Sequence, residues 1–259
     1  MANEEIVNEV LAKVLGKIGP GCPVPTSGVR PASTEFVGVN DIGRTIGLVI
    51  ANVDPDLLAK MNMEKTYKSI GILSARTGAG PHIFAADEAV KATNTEILLI
   101  ELPRDTEGGA GHGSLIVFGA DDVSDARRAV EVSLEEVTRT FGDVYGTAAG
   151  HLEFQYTARA SHALEKAFGA PLGKSFGITV GAPAGIGLVL ADTAVKAATV
   201  DVVGVSSPAH GTSFSNEFIS FLSGDSGAVR QAIIAAREVG IGLLGAMGDC
   251  PQSATTPYI

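Results

Sequence analysis

Lys68-Ser69-Ile70-Gly71-Ile72 is met again as Lys174-Ser175-Phe176-Gly177-Ile178, and Ala86-Asp87-Glu88-Ala89-Val90-Lys91-Ala92 again as Ala191-Asp192-Thr193-Ala194-Val195-Lys196-Ala197. A third pair follows in the same order: Asp122 with Arg127-Arg128-Ala129-Val130, then Asp225 with Arg230-Gln231-Ala232-Ile233. Each copy lies roughly 105 positions after its original, and collinear matches whose spacing drifts by a residue or two mark an internal duplication with small insertions. Two similar domains are therefore expected in the 259 residues, a length that two ordinary cores fill.

Each repeat reads coarsely as strand, helix, strand, helix, strand, strand, helix. In the second copy these fall at 152–156, 161–168, 175–180, 187–198, 200–205, 218–222 and 226–245. Short runs of Val, Ile and Phe supply the strands, and Ala and Leu at helical spacing supply the helices. An α+β fold with helices packed on a small antiparallel sheet follows for each domain.

Before the repeats, residues 3–18 place Ile6, Val7, Val10, Leu11, Val14, Leu15 and Ile18 on one helical stripe. Glu4, Glu5 and Glu9 come early and Lys13 and Lys17 late, which suits the helix dipole, and Gly19-Pro20 ends the pattern. The Pro- and Gly-rich stretch after it cannot form a ladder or helix and reads as a linker. The expected division is an amphipathic helix at 1–18, a linker at 19–35, the first domain at 36–148, the second at 149–248 and a C-terminal tail at 249–259.

The second copy carries the resemblance to a known family. Ser175-Phe-Gly-Ile-Thr-Val, then Ala191-Asp-Thr-Ala-Val-Lys-Ala-Ala-Thr-Val, then Gly224-Asp-Ser-Gly-Ala-Val-Arg-Gln-Ala232 resemble the signature of the bacterial microcompartment shell domain. In ordinary shell domains a strand and a short helix close the domain at its C-terminus. Here the counterparts come first, at 48–58 and at 154–164, so both repeats look circularly permuted. A permuted tandem pair with a leading helix and a Pro-rich linker is similar to the B-type shell proteins of propanediol- and ethanol-utilisation compartments, over roughly residues 36–248.

That resemblance implies a structural protein without catalysis. Three tandem chains would form a homotrimeric pseudo-hexamer that tiles with other shell proteins, closed cyclic symmetry being the economical assembly of identical subunits. It assigns Lys91 and Lys196 to the tile edge, with the family's edge arginine falling on Arg159 in the second copy and on Asn52 in the first, where the pattern is broken. It also points to the two loops between the middle strands as pore-lining candidates: Arg104, Asp105, Glu107, Gly109 and His112 in the first, Ser206, Ser207, His210, Gly211, Thr212 and Ser213 in the second. Hydroxyls and glycine backbone there offer hydrogen bonds to small polar solutes such as alcohols, diols and aldehydes without holding them tightly. The N-terminal helix is the expected anchor for encapsulated enzymes, since an isolated helix of that length orders best in a partner's groove.

Other classes fare worse. A net charge of −10, from 19 basic and 29 acidic residues, repels nucleic acid and anionic membranes. Cys22 and Cys250 give neither a disulfide framework nor metal-ligand spacing. With acids where a secretion signal needs positive charge, a cytoplasmic protein of the microcompartment shell is expected. His112 and His210 lack ligand spacing, so no metal is predicted, and the Gly-rich stretches at 76–81 and 181–187 lack the residues of a phosphate loop. No cofactor and no catalytic set can be proposed from spacing. The alternative from another class is a small-molecule-binding enzyme or sensor on the same duplicated fold, with its site between the domains.

Overall fold

The Val-, Ile- and Phe-rich runs of each repeat become strands, and the alanine-rich passages between them become helices. The computed structural model describes residues 34–63, 65–103, 112–207 and 216–259. The predicted N-terminal helix with Ile6, Val7, Val10, Leu11, Val14 and Leu15 lies outside the described residues, as do Arg104, Asp105, Glu107, Gly109, His210, Gly211, Thr212 and Ser213.

The first repeat runs β1 (Thr34–Asn40), β2 (Thr45–Ala51), α1 (Pro55–Lys60), β3 (Ser69–Ala75), α2 (Ala79–Ala92), β4 (Glu96–Glu101), β5 (Ser114–Ala120) and α3 (Val123–Thr140). The second runs β6 (Val144–Thr147), β7 (Gly150–Thr157), α4 (His162–Phe168), β8 (Ser175–Ala182), α5 (Ala184–Ala197), β9 (Val200–Ser206), β10 (Phe218–Gly224) and α6 (Ser226–Gly245), and a short β11 (Gln252–Ser253) ends it. The strands form two antiparallel sheets, ordered β1-β2-β3-β5-β4 and β11-β6-β7-β8-β10-β9. Helices α2 and α3 pack together beside the first sheet, and α5 and α6 beside the second. The α+β architecture is as the sequence predicts, and a strand and short helix lead each repeat.

Local chemistry starts and stops the helices. Asp54 caps α1 by accepting hydrogen bonds from the backbone N–H groups of Asp56 and Leu57, with Pro55 at the first helical position. Asp122 caps α3 in the same way through Ser124. Gly169 ends α4 in the left-handed region, φ +69°, where its N–H reaches back to the carbonyls of Glu165 and Leu164.

Three features differ from the sequence expectation. β6 lies at 144–147, inside the stretch read as the first domain, yet it pairs with β7 in the second sheet. β11 turns part of the predicted tail into a strand beside β6, and the chain beyond it is tied down: the N–H groups of Tyr258 and Ile259 donate to Asp143 Oδ2 at 2.9 and 3.2 Å. Both strands are too short to be read alone, because long-range pairing makes them strands. Helix α5 begins at Ala184 rather than 187, since Pro183 occupies its N-cap and accepts from the Ile186 N–H.

The two repeats share one core. Ile83 and Phe84 of α2 are buried in a cluster with Ala160, Ala163, Leu164 and Phe176 of the second repeat, and the rings of Phe84, Phe176, Phe168 and Phe221 continue it, with neighbouring centroids 4.8 to 6.3 Å apart. A carboxylate fixes the register of this contact. Asp87 of α2, fully buried, accepts from the backbone N–H groups of Ser161 at 3.0 Å and Leu164 at 3.2 Å, so the first repeat caps a helix of the second. Ser161 provides no side-chain cap of its own. Burial pushes the Asp87 carboxyl up, and the nearby Lys91 ammonium, 2.9 Å away, works against that. Replacing Asp87 with Ala is expected to cost about 2 to 3 kcal/mol, from a lost cap and a broken half-buried ion pair. Denaturant unfolding checks this, and an unchanged midpoint would show the cap to be dispensable.

Candidate functional site

A strand places alternate residues on one face, and in β7 three polar ones share that spacing, His151, Glu153 and Gln155, the last two facing the first repeat across a cavity of about 50 Å³. Glu153 and Gln155 line it, together with Gly78 and Gly80 from the start of α2. Phe168, Phe221 and other apolar side chains complete the wall. At one water per 10 to 15 Å³ of such volume, the space holds on the order of three to five waters, or one solute of similar size.

The α2 side of the wall is backbone, and the packing behind it explains why. Gly78 sits at φ +89° with the Phe141 ring against the place where a side chain would stand. His82 anchors this turn: its Nδ1 donates to the Gly78 carbonyl, leaving Nε2 to accept from the Thr45 hydroxyl at 2.7 Å. Burial drives its pKa down to about 4, so it stays neutral in this role. At Gly80 a Cβ would lie 3.1 Å from Gln155 Oε1 and 3.4 Å from Glu153 Oε2. The absence of a side chain there keeps the two polar groups open to the cavity.

The polar groups are incompletely matched. His151 Nε2 donates to Glu217 Oε2 at 3.0 Å, and His112 Nε2 stands 3.9 Å from Glu217 Oε1. Burial disfavours a charge on His151, but the hydrogen bond to Glu217 and the neighbouring carboxylates outweigh it and raise its pKa. Burial raises the Glu153 carboxyl to about 7; His151 opposes this and Glu217 adds to it. Gln155 is fully buried, and neither its Oε1 nor its Nε2 has a partner among the described residues. An orphan amide of this kind costs about 1 to 3 kcal/mol unless water or a ligand satisfies it.

Of the predicted pore-loop residues, His112, Ser206 and Ser207 are described. His112 lies on the cavity wall, where it meets Glu217 from the far end of the second loop, whereas Ser206, the last residue of β9, and Ser207 after it are not among the lining residues. The sequence reading missed Gly80, His151, Glu153, Gln155 and Glu217. The signal available was three polar residues at alternate positions 151, 153 and 155 in a strand whose other face is Leu152 and Phe154.

The predicted edge residues fall in unlike settings. Lys91 is drawn towards the repeat interface, where its Nζ bonds to Asp87, Glu88 and, at 3.2 Å, Thr157 Oγ1, leaving its side chain 23% exposed. Lys196, its counterpart, is 73% exposed and pairs with Asp192 at 2.7 Å. Arg159 is exposed and shares a surface hollow with Lys91, and Asn52 is exposed at φ +54° on the turn after β2. Among the described residues no three His, Cys, Asp or Glu side chains are placed to hold a metal ion, and no helix is long and apolar enough to cross a membrane.

Comparison with known proteins agrees with this architecture. The BMC domain model matches residues 69–149 and again 175–251. The chain is 60% identical to the bacterial microcompartment shell protein PduB of Salmonella typhimurium over the full length of both. Among solved structures it resembles a trimeric bacterial microcompartment shell protein PduB, with a TM-score of 0.84 and 55% identity over 87% of this chain and 99% of that one. EtuB from Clostridium kluyveri gives 0.83 and 56%, over 88% of this chain and 100% of its own. The PduB relatives are shell proteins, which decides against the enzyme or sensor alternative. Two tandem domains, each a sheet with packed helices, and full-length similarity to a shell protein place the chain in the BMC-domain family as a structural component of the bacterial microcompartment shell.

Proposed function

We propose that three copies of this shell subunit close into a ring, the second repeat of each docking on the first repeat of the next, and that small polar solutes cross the tile through the cavity inside each subunit. The observation that carries the ring is a difference between duplicated positions. On α2, Ile83 and Phe84 are 0% and 3% exposed beneath α4, whereas their counterparts on α5, Leu188 and Val189, are 57% and 43% exposed. On the receiving side Leu164 of α4 is buried, and its counterpart Leu57 of α1 is 48% exposed. An apolar donor face and an apolar acceptor face that are mates inside the chain thus both lie open at its two ends. Repeating the internal contact between copies would cover both, and the trimeric relative supports closure at three.

The two contacts would not be identical. Asp54 already caps α1, so Asp192 has no free helix end to cap and keeps Lys196 as its partner. The polar wall is also special to the interior contact, since the positions matching Glu153 and Gln155 are Ile46 and Leu48 of β2, and His151 is matched by Arg44 just before that strand. One polar passage per subunit follows. The exposed Lys196 and Arg159 remain the proposed tile-edge contacts, and the N-terminal segment the proposed anchor for enclosed enzymes.

Replacing Leu188 with Asp should break the ring, since burying such a leucine is worth about 1.5 to 3 kcal/mol and a buried unpaired carboxylate costs more. Light scattering would then give a folded 26.5 kDa species, whereas a persisting trimer would refute the docking geometry. Gly80→Leu should fill the passage and leave the ring intact, lowering diol-dependent flux in intact compartments at least about twofold. Unchanged flux with the variant present in the shell counts against this path. Deleting residues 1–33 should leave assembly unchanged while enclosed enzymes no longer co-purify with the shell, and retained enzymes would dismiss the anchor.

A further inference from the structure

On the cavity wall nothing among the described residues donates a hydrogen bond to the Glu153 carboxyl, while the amide of the adjacent Gln155 is fully buried without a partner among them. Both groups flank Gly80 within 3.4 Å of the place a side chain would occupy, so they face the same open space. We infer that Glu153, together with Gln155, His151 and Glu217, sets the charge selectivity of this cavity, which accepts neutral hydroxylated solutes and turns carboxylates away increasingly as the pH rises through neutrality. The inference rests on the cavity being a solute path.

The chemistry follows from what each group can offer. Gln155 presents one acceptor and donors side by side. A neutral hydroxyl, which both donates and accepts, satisfies it whatever the state of Glu153. A carboxylate only accepts, so it can use Gln155 Nε2 but meets Glu217, whose carboxylate already takes the His151 proton at 3.0 Å.

Among the described residues, the titratable groups around Glu153 are His151 on its own strand, Glu217 on the segment entering β10 and His112 on the segment entering β5; α2 contributes uncharged backbone. Below neutrality Glu153 keeps its proton and can donate to a carboxylate, and a charged His151 balances Glu217. Rising pH removes both protons. The Glu153 carboxyl, displaced by burial to about 7, changes charge in this window, and the raised pKa of His151 brings its proton loss towards the same range. The wall, together with His151 behind Glu217, then becomes more negative by two charges, in a confined space where water screens poorly.

Propane-1,2-diol and lactate differ at one carbon, alcohol against carboxylate, and make a matched pair of probes. Saturation-transfer NMR on the full-length assembled protein should show diol contact at about pH 6 and at about pH 8.5, with the lactate-to-diol ratio falling about fivefold between them. In Glu153→Gln, which keeps the shape and removes the ionisable carboxyl, the fall should shrink to about twofold because the proton loss at His151 remains. An equal fall in parent and variant would overturn the assignment to Glu153. Carbon-13 titration of the parent reads the carboxyl directly: a midpoint near 7 supports the inference, and one near the ordinary 4.5 sinks it. Diol contact that is undetectable in the parent, or unaffected by Gly80→Leu, refutes the solute path itself and this inference with it.

Discussion

Contact between the apolar face of α2 and helix α4 takes Ile83, Phe84, Ala163 and Leu164 out of water together, at about 1.5 to 3 kcal/mol for each of the larger side chains. This contact makes one body of two repeats, and the other features of the chain are arranged around it. Asp87 fixes its register by capping α4 from the neighbouring domain. The cavity lies beside it, where the start of α2 passes close to β7. Because the repeats are copies, the same contact leaves a matching pair of apolar faces uncovered at α5 and α1.

Duplication accounts for the resemblance of the halves, and divergence accounts for what each contact does. At the interior contact Asp87 is spent on the backbone of α4 and Lys91 is held beside it. At the open face the equivalent Asp192 and Lys196 pair with one another in solvent, an arrangement worth little to stability. The polar face of β7 has no equal in β2. A fold carries an orphan glutamine and a crowded carboxyl at a net loss of stability, and such departures from good packing concentrate where a protein meets its ligands.

The three-residue turn before α2 shows how a wall without side chains is kept in place. Gly78 accepts a positive φ that the Phe141 ring would deny to other residues, and neutral His82 ties its carbonyl to β2 through Thr45. None of these three side chains lines the cavity with a polar group of its own, yet they fix the distance between Gly80 and Gln155 on which the opening depends.

Much of this was legible in the residues. The recurrence of Lys-Ser-x-Gly-Ile and Ala-Asp-x-Ala-Val-Lys-Ala determined two α+β repeats, because local hydrophobic periodicity specifies each strand and helix and a copied pattern specifies a copied fold. The helix caps at Asp54 and Asp122 follow from the same local chemistry. β6 and β11 were not legible, since two to four residues carry no periodicity and become strands only by pairing with distant chain. The cavity needed the tertiary structure for a similar reason: His112, His151, Glu153 and Glu217 are up to about a hundred residues apart in sequence, and no spacing rule joins them. Likewise the sequence makes Lys91 and Lys196 equals. Only the packing of α4 on α2, with nothing equivalent on α5 among the described residues, gave one a buried acid and interface partners and left the other in solvent.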